Sequence, residues 1–165
     1  VVKEYQDEFF ERHALVLDTG GAGPKGRVED AAFEDAVAVA ASFVYTLDTH
    51  ECLLDLLFVG GEVRAYTAGR GQMQAEHMLE VLAAVGPSAP EEFSALARRA
   101  ILSSVILILL SWDEARSRLV ASLRASGSEV RALLVCPERD APAERPAGVV
   151  LLHPGAIVKG LAALR

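Results

Sequence analysis

Residues 104–114 read SVILILLSWDE, and this stretch decides the fold. Ser104 to Leu110 is the most hydrophobic segment of the chain, and charged residues follow it closely. Continuous hydrophobicity, rather than strict alternation, is typical of a strand that is buried on both faces of a parallel sheet. Asp113 and Glu114 suit the first turn of a helix, because negative charge is favourable at the positive end of the helix dipole. The stretch therefore predicts a central parallel strand followed by a helix.

Strands and helices also alternate in the rest of the chain. Residues 14–17 form a short apolar run that ends at Asp18, which indicates a second buried strand. Gly60-Gly61 separates two apolar runs, as in a tight hairpin whose turn requires positive φ. The helix after Asp113 is predicted to turn three apolar residues inward, namely Ala115, Leu119 and Leu123. Further strands are predicted at 52–59, 62–67, 130–136 and 149–152, and further helices at 33–47, 75–85 and 93–100.

This order of elements predicts an α/β fold with three layers. A mostly parallel central sheet, with one antiparallel hairpin strand, is covered by helices on both faces. In such sheets ligands bind at the carboxyl ends of the strands, where the strand order reverses. The loops at Asp18 to Gly23, Thr67 to Gly71 and Ser111 to Asp113 are therefore expected to form the functional edge.

Composition limits the classes of partner. The chain has 165 residues, of which 52% are hydrophobic and 24% charged, and this fits one globular domain over residues 1–165. The net charge of −7 argues against nucleic acid and against an anionic membrane surface, because both attract clustered Lys and Arg. The apolar runs are far shorter than the roughly 20 residues of a membrane helix.

The cysteines and the first residues bear on location. Cys52 and Cys136 lie in apolar runs without metal-ligand spacing, so we expect two buried, reduced thiols and a cytoplasmic domain. Val1-Val2-Lys3-Glu4 has the features of neither a translation start nor a signal peptide. We therefore expect the chain to be the C-terminal part of a longer protein.

Four stretches of the sequence resemble one bacterial family. They are Val2 to Tyr5, His13 to Thr19, Leu107 to Asp113 and Gly127 to Glu138. Together they resemble the von Willebrand A-like domain of the family called domain of unknown function 58. The resemblance implies a von Willebrand A-like (Rossmann-like) fold, a parent protein anchored in the bacterial inner membrane, and a MoxR-type AAA+ ATPase as partner.

The resemblance also implies a place for a metal. Von Willebrand A-like domains commonly bind Mg²⁺ through Asp-x-Ser-x-Ser after the first strand, a Thr from a later loop and an Asp after the fourth strand. Asp18 matches the first position, but Gly20 and Ala22 replace the two serines. Two carboxylates without these hydroxyl ligands are expected to hold a hydrated Mg²⁺ only weakly.

The remaining metal ligands are also altered. Thr67 is a candidate for the loop threonine, with Thr19 as a rival, and Asp113 is displaced by one residue because Trp112 intervenes. The candidate metal ligands are thus Asp18, Thr67 and Asp113. We predict a degenerate metal-ion-dependent adhesion site and no cofactor.

A second hypothesis concerns the glycine-rich loop. Gly21 to Gly26 has the form G-x-G-x-x-G of a dinucleotide-binding loop, so the segment Gly20 to Gly26 gives an alternative, a small-molecule or nucleotide binder. The context is unfavourable, because the loop does not lead straight into a helix and Pro24 removes an amide donor. A third alternative is a domain without a ligand that only assembles its parent protein.

The preferred hypothesis is a protein-binding module. No residues form a catalytic set of nucleophile, base and oxyanion site, so we predict that the chain is not an enzyme. An aromatic side chain on the functional edge suits a protein partner. The candidate partner-binding residues are Asp18, Thr19, Gly20, Thr67, Ser111, Trp112 and Asp113.

Overall fold

A computed structural model describes residues 11–20, 30–46, 52–59, 63–68, 72–88 and 104–162. Its strands are β1 (Glu11–Leu17), β2 (Cys52–Val59), β3 (Val63–Ala68), β4 (Ser104–Leu109), β5 (Glu129–Val135) and β6 (Val149–Leu152). Its α-helices are α1 (Asp30–Thr46), α2 (Gln72–Ala83), α3 (Glu114–Ala125) and α4 (Ile157–Ala162). The predicted helix at 93–100 and the Gly60-Gly61 turn lie outside the described residues.

The described strands form one sheet in the order β3-β2-β1-β4-β5-β6. Every neighbouring pair is parallel except β2 and β3, which are antiparallel. The chain moves outward from β1 to β3 on one side and from β4 to β6 on the other. The strand order therefore reverses between β1 and β4, and their carboxyl ends flank the place where α/β sheets bind ligands.

Alternate residues of the central strands face two separate cores. Leu15, Leu17 and Ile108 belong to the core shared with α1 and α2. Val16 and Leu107 belong to the core shared with α3 on the other face. Both faces of β1 and β4 are buried, which explains the unbroken hydrophobic runs in the sequence. The predicted α/β fold with three layers is confirmed.

Helix α3 differs from the prediction in one inward position. Its buried residues are Arg116, Leu119, Val120 and Leu123. Ala115, which was predicted to face inward, is exposed, so this prediction is wrong. The stripe that includes Leu119 and Leu123 passes through Arg116 at the i−3 position, and an ion pair described below makes burial of its charge possible.

The structure describes the side chain of one of the two cysteines. Cys136 is a buried free thiol, and burial raises its pKa. Cys52 begins β2, but its side chain lies outside the described part of the structure. No α-helix in the described ranges combines the length and the apolar character needed to span a bilayer.

Candidate functional site

Asp18 joins the ends of the two central strands. Its amide donates to the carbonyl oxygen of Ile108 at 2.8 Å, which continues the pairing of β1 with β4 by one residue. Its Oδ1 accepts from the amide of Gly20 at 3.0 Å, and its Oδ2 accepts from the amide of Leu110 at 3.3 Å. The side chain is fully buried. The carboxylate therefore lies where the strand order reverses, as predicted.

Arg116 inserts its guanidinium into the same place. The side chain is only 1% exposed. Its Nε donates to Asp18 Oδ2 at 2.7 Å, and its Nη2 donates to the carbonyl oxygen of Gly20 at 2.5 Å. Its Nη1 donates to Asp113 Oδ2. One guanidinium thus joins both candidate carboxylates and the loop backbone after β1.

Asp113 has two roles at the start of α3. Its backbone is extended (φ −136°, ψ −178°), as an N-cap requires, and its Oδ1 accepts from the amide of Arg116 at 2.9 Å. Its Oδ2 receives the guanidinium of the same arginine. The side chain is 41% exposed, so one edge of this ion pair lies at the surface. The cap and the ion pair therefore fix the entry of α3 over the end of β4.

The charges in this cluster depend on one another. Burial raises the pKa of Asp18, while the hydrogen bond and charge of Arg116 and the amides of Gly20 and Leu110 act to lower it. Burial also disfavours the charge on Arg116, but the hydrogen bond to Asp18 and the charges of Asp18 and Asp113 raise its pKa above the ordinary value. The guanidinium therefore stays charged, and it is the cation that makes burial of the Asp18 carboxylate tolerable.

Hydroxyl groups lie around the ion pairs. Thr19 Oγ1 lies 2.7 Å from Ser88 Oγ, and the amide of Ser88 donates to the carbonyl oxygen of Thr19 at 2.8 Å. Ser88 belongs to the loop after α2. Ser111 Oγ is buried and has no hydrogen-bond partner among the described residues. Two loops and the end of β4 thus bring hydroxyl groups to the edge that contains Asp18.

The structure corrects the place of Thr67. Its Oγ1 donates to Asp55 Oδ1 at 2.6 Å, and Asp55 pairs in register with Ala14, near the middle of β1. Because β3 is antiparallel to β2, its carboxyl end lies at the amino ends of the parallel strands. Thr67 and the loop after it were predicted to lie at the functional edge, and this prediction is wrong because β3 runs opposite to the parallel strands. Residues 69–71 lie outside the described residues.

Trp112 lies between the buried Ser111 and the partly exposed Asp113. Its side chain is partly buried and contacts the core beneath α3. The residue therefore anchors the turn from β4 into α3 and also presents part of its ring at the surface. The loop from 21 onward, which includes Ala22 and most of the Gly20 to Gly26 segment, lies outside the described residues.

Two residues of the site were missed in the sequence. Arg116 was not among the candidate residues, although it lies three residues after Asp113 and in the apolar stripe of α3. Ser88, from the loop after α2, contacts Thr19 through both its hydroxyl and its amide. Its only sequence signal is its position directly after Gly86-Pro87, in the loop that follows α2.

The donor set around Asp18 does not fit a divalent metal while Arg116 is in place. Both carboxylate oxygens of Asp18 already accept hydrogen bonds, and the guanidinium lies on the side shared with Asp113. Gly20 offers a carbonyl oxygen where a metal site has a serine, and this oxygen also accepts from Arg116. Within the described ranges, no group of three or more His, Cys, Asp or Glu side chains could hold a metal ion.

These features define an α/β domain of the von Willebrand A-like fold, and solved structures show the same fold. No protein-family model matches the chain, and its sequence has no significant match among curated proteins. The chain superposes on a von Willebrand factor type A protein from Catenulispora acidiphila with a TM-score of 0.59 and 11% identity, covering 94% of this chain and 42% of that one. It thus spans about two fifths of that protein.

Two further solved structures, from proteins of other organisms, share this fold. The manganese-loaded TRAP protein of Plasmodium vivax gives a TM-score of 0.64 at 8% identity, with 96% of this chain and 73% of that one covered. An aerotolerance-related membrane protein from Bacteroides fragilis gives 0.58 at 11% identity, with 92% and 96% covered. Identities this low establish the shared fold alone.

Proposed function

We propose that the domain is a protein-binding module and that its contact surface is the carboxyl rim, formed by Asp18–Gly20, Ser88 and Ser111–Asp113. The observation that carries the proposal is the Asp18–Arg116–Asp113 cluster, which joins the loop after β1 to the start of α3 at one edge of the sheet. A surface that is rigid before binding loses less conformational entropy when a partner docks. In this rim Ser88 and Trp112 are partly exposed and Asp113 is exposed.

The chemistry of the rim favours binding over catalysis. The Asp18 carboxylate is buried and accepts hydrogen bonds from two amides and a guanidinium, so it is not free to attack a substrate. A partly exposed tryptophan beside charged groups resembles the aromatic anchors that dominate protein interfaces. We therefore propose that the domain binds a protein and that its adhesion-type metal site is degenerate.

We further propose a MoxR-type AAA+ ATPase as the partner and a membrane-anchored parent protein. The family resemblance of the sequence supports the partner. The shared fold with an aerotolerance-related membrane protein supports the anchored parent. In this arrangement the domain presents its carboxyl rim to an ATPase in the cytoplasm.

Binding of the purified domain to the MoxR-type ATPase of the same organism tests this proposal. The immobilised parent domain is compared by biolayer interferometry with Trp112→Ala and with the control Glu129→Ala, which changes an exposed residue at the opposite edge of the sheet. We expect Trp112→Ala to weaken binding about tenfold or more and the control to leave it unchanged. Equal binding by all three proteins refutes the rim, and absence of binding by the parent domain refutes the partner.

A further inference from the structure

The guanidinium of Arg116 occupies the place between two carboxylates where a bound cation is expected. Asp18 follows β1, Asp113 follows β4, and neither is adjacent to the other in the chain. One side chain from α3 bonds to both of them and to the Gly20 carbonyl. The three contacted groups are all oxygens, which are the ligands that Mg²⁺ and Mn²⁺ also prefer.

The charges of the cluster also indicate that the Arg116 guanidinium occupies the place of a bound cation. Two carboxylates converge on one arginine, and Asp18 is buried far from bulk water. Without a cation, the Asp18 carboxylate would be an uncompensated charge in the protein interior, which is strongly unfavourable. A cation at this place therefore stabilises the folded domain, whether or not a partner binds.

We propose that Arg116 is a tethered cation that replaces a divalent metal, so that the rim is assembled in every folded molecule and does not depend on the metal supply. The arginine belongs to the chain and cannot dissociate, whereas a hydrated Mg²⁺ held by two carboxylates exchanges with the solvent. Removing the guanidinium leaves the oxygens of Asp18, Asp113 and Gly20 without their shared donor. Arg116→Ala is therefore expected to acquire a site for Mn²⁺ or Mg²⁺.

The test compares melting temperatures in EDTA, in millimolar MgCl₂ and in millimolar MnCl₂. The proteins are the parent domain, Arg116→Ala, Arg116→Ala/Asp18→Asn, and the matched control Arg118→Ala. Arg118 lies on the same helix and pairs with Glu114 at the surface, where the two side chains are 76% and 78% exposed. The double variant removes a proposed metal ligand and the buried charge together.

Of the four proteins, we expect only Arg116→Ala to show a melting temperature that rises with metal. Arg116→Ala should melt well below the parent in EDTA and gain about 5–10 °C from Mn²⁺ at a hundredfold excess over its Kd. The parent, Arg118→Ala and the double variant should show no gain. Tb³⁺ luminescence excited through Trp112, the only tryptophan, should likewise appear with Arg116→Ala alone.

Three results overturn the proposal. The first is a metal-induced gain by the parent domain equal to that of Arg116→Ala, which would show that the guanidinium does not occupy the cation site. The second is a folded Arg116→Ala that gains nothing from either metal. The third is an Arg116→Ala that folds in none of the three solutions although the double variant folds, because then no divalent ion can replace the guanidinium. None of these readouts depends on a protein partner.

Discussion

Replacing Arg116 with methionine is expected to destabilise the domain far more than the same replacement at Arg118. Methionine keeps a buried, unbranched stem at this position but removes the guanidinium. Asp18 then remains buried with its two amide donors and without a counter-charge. The carbonyl oxygen of Gly20 also loses the donor that bonds to it at 2.5 Å.

The size of the effect follows from these losses. Removing one partner of a buried ion pair costs about 3–5 kcal/mol, because the remaining charge is uncompensated. Asp113 contributes little of this, since its carboxylate is 41% exposed and can be hydrated. For a domain of this size, such a loss lowers the melting temperature by about 6–20 °C. Arg118→Met breaks only an exposed pair and should cost about 0.5 kcal/mol or less.

Urea unfolding followed by the fluorescence of Trp112 and by circular dichroism measures both changes. The double variant Arg116→Met/Asp18→Asn is expected to recover part of the lost stability, because the buried charge is then gone. A cost below about 1 kcal/mol for Arg116→Met would refute the reasoning, since it would mean that Asp18 needs no cation. If Arg118→Met lowered the free energy of unfolding by the same amount, the loss would come from changing any arginine of α3 and not from the buried ion pair.

Three further predictions concern the same elements. The free-energy cost of Arg116→Met should grow as pH rises. Burial raises the folded pKa of Asp18 above the unfolded value of 3.8, so the stability contributed by its protonation is complete below 3.8 and is lost as pH rises through the folded pKa. Removing the guanidinium raises this folded pKa further and extends the loss to higher pH; urea unfolding at a series of pH values checks the trend, and a cost independent of pH contradicts it. Asp113→Ala should be less stable than Asp113→Asn by about 1 kcal/mol in the same assay, because Asn still caps α3, and equal stabilities would exclude the cap. Leu107→Ala should cost about 2–5 kcal/mol, since Leu107 is fully buried, and a cost under about 1 kcal/mol would contradict its central place in the sheet.

The fold could be predicted because its central strands carry a simple signal. Residues 105–109 are apolar without interruption because both faces of β4 are covered, and residues 14–17 of β1 repeat the pattern. Two glycines between apolar runs predicted the antiparallel pair of β2 and β3. These signals are local, so a single sequence was sufficient to order the elements.

The site was predicted only in part because its contacts connect distant residues. Asp18 and Asp113 were expected at one edge, since each follows a buried parallel strand. Thr67 was misplaced because the direction of β3 was not carried through to the loop that follows it. Arg116 was missed because an arginine on a helix is usually solvated, and its burial depends on the carboxylates of Asp18 and Asp113, which only the fold brings together.

The central claim is that the cation joining β1 to β4 belongs to Arg116, and side-chain NMR of the ¹⁵N-labelled domain tests it most directly. The Nε–H resonance of Arg116, assigned with Arg116→Lys, should exchange slowly with water because it is buried and bonded to Asp18 at 2.7 Å. It should also remain unchanged in EDTA and in MgCl₂. Exchange as fast as that of the exposed Arg118, or displacement of the signal by Mg²⁺, would contradict the account.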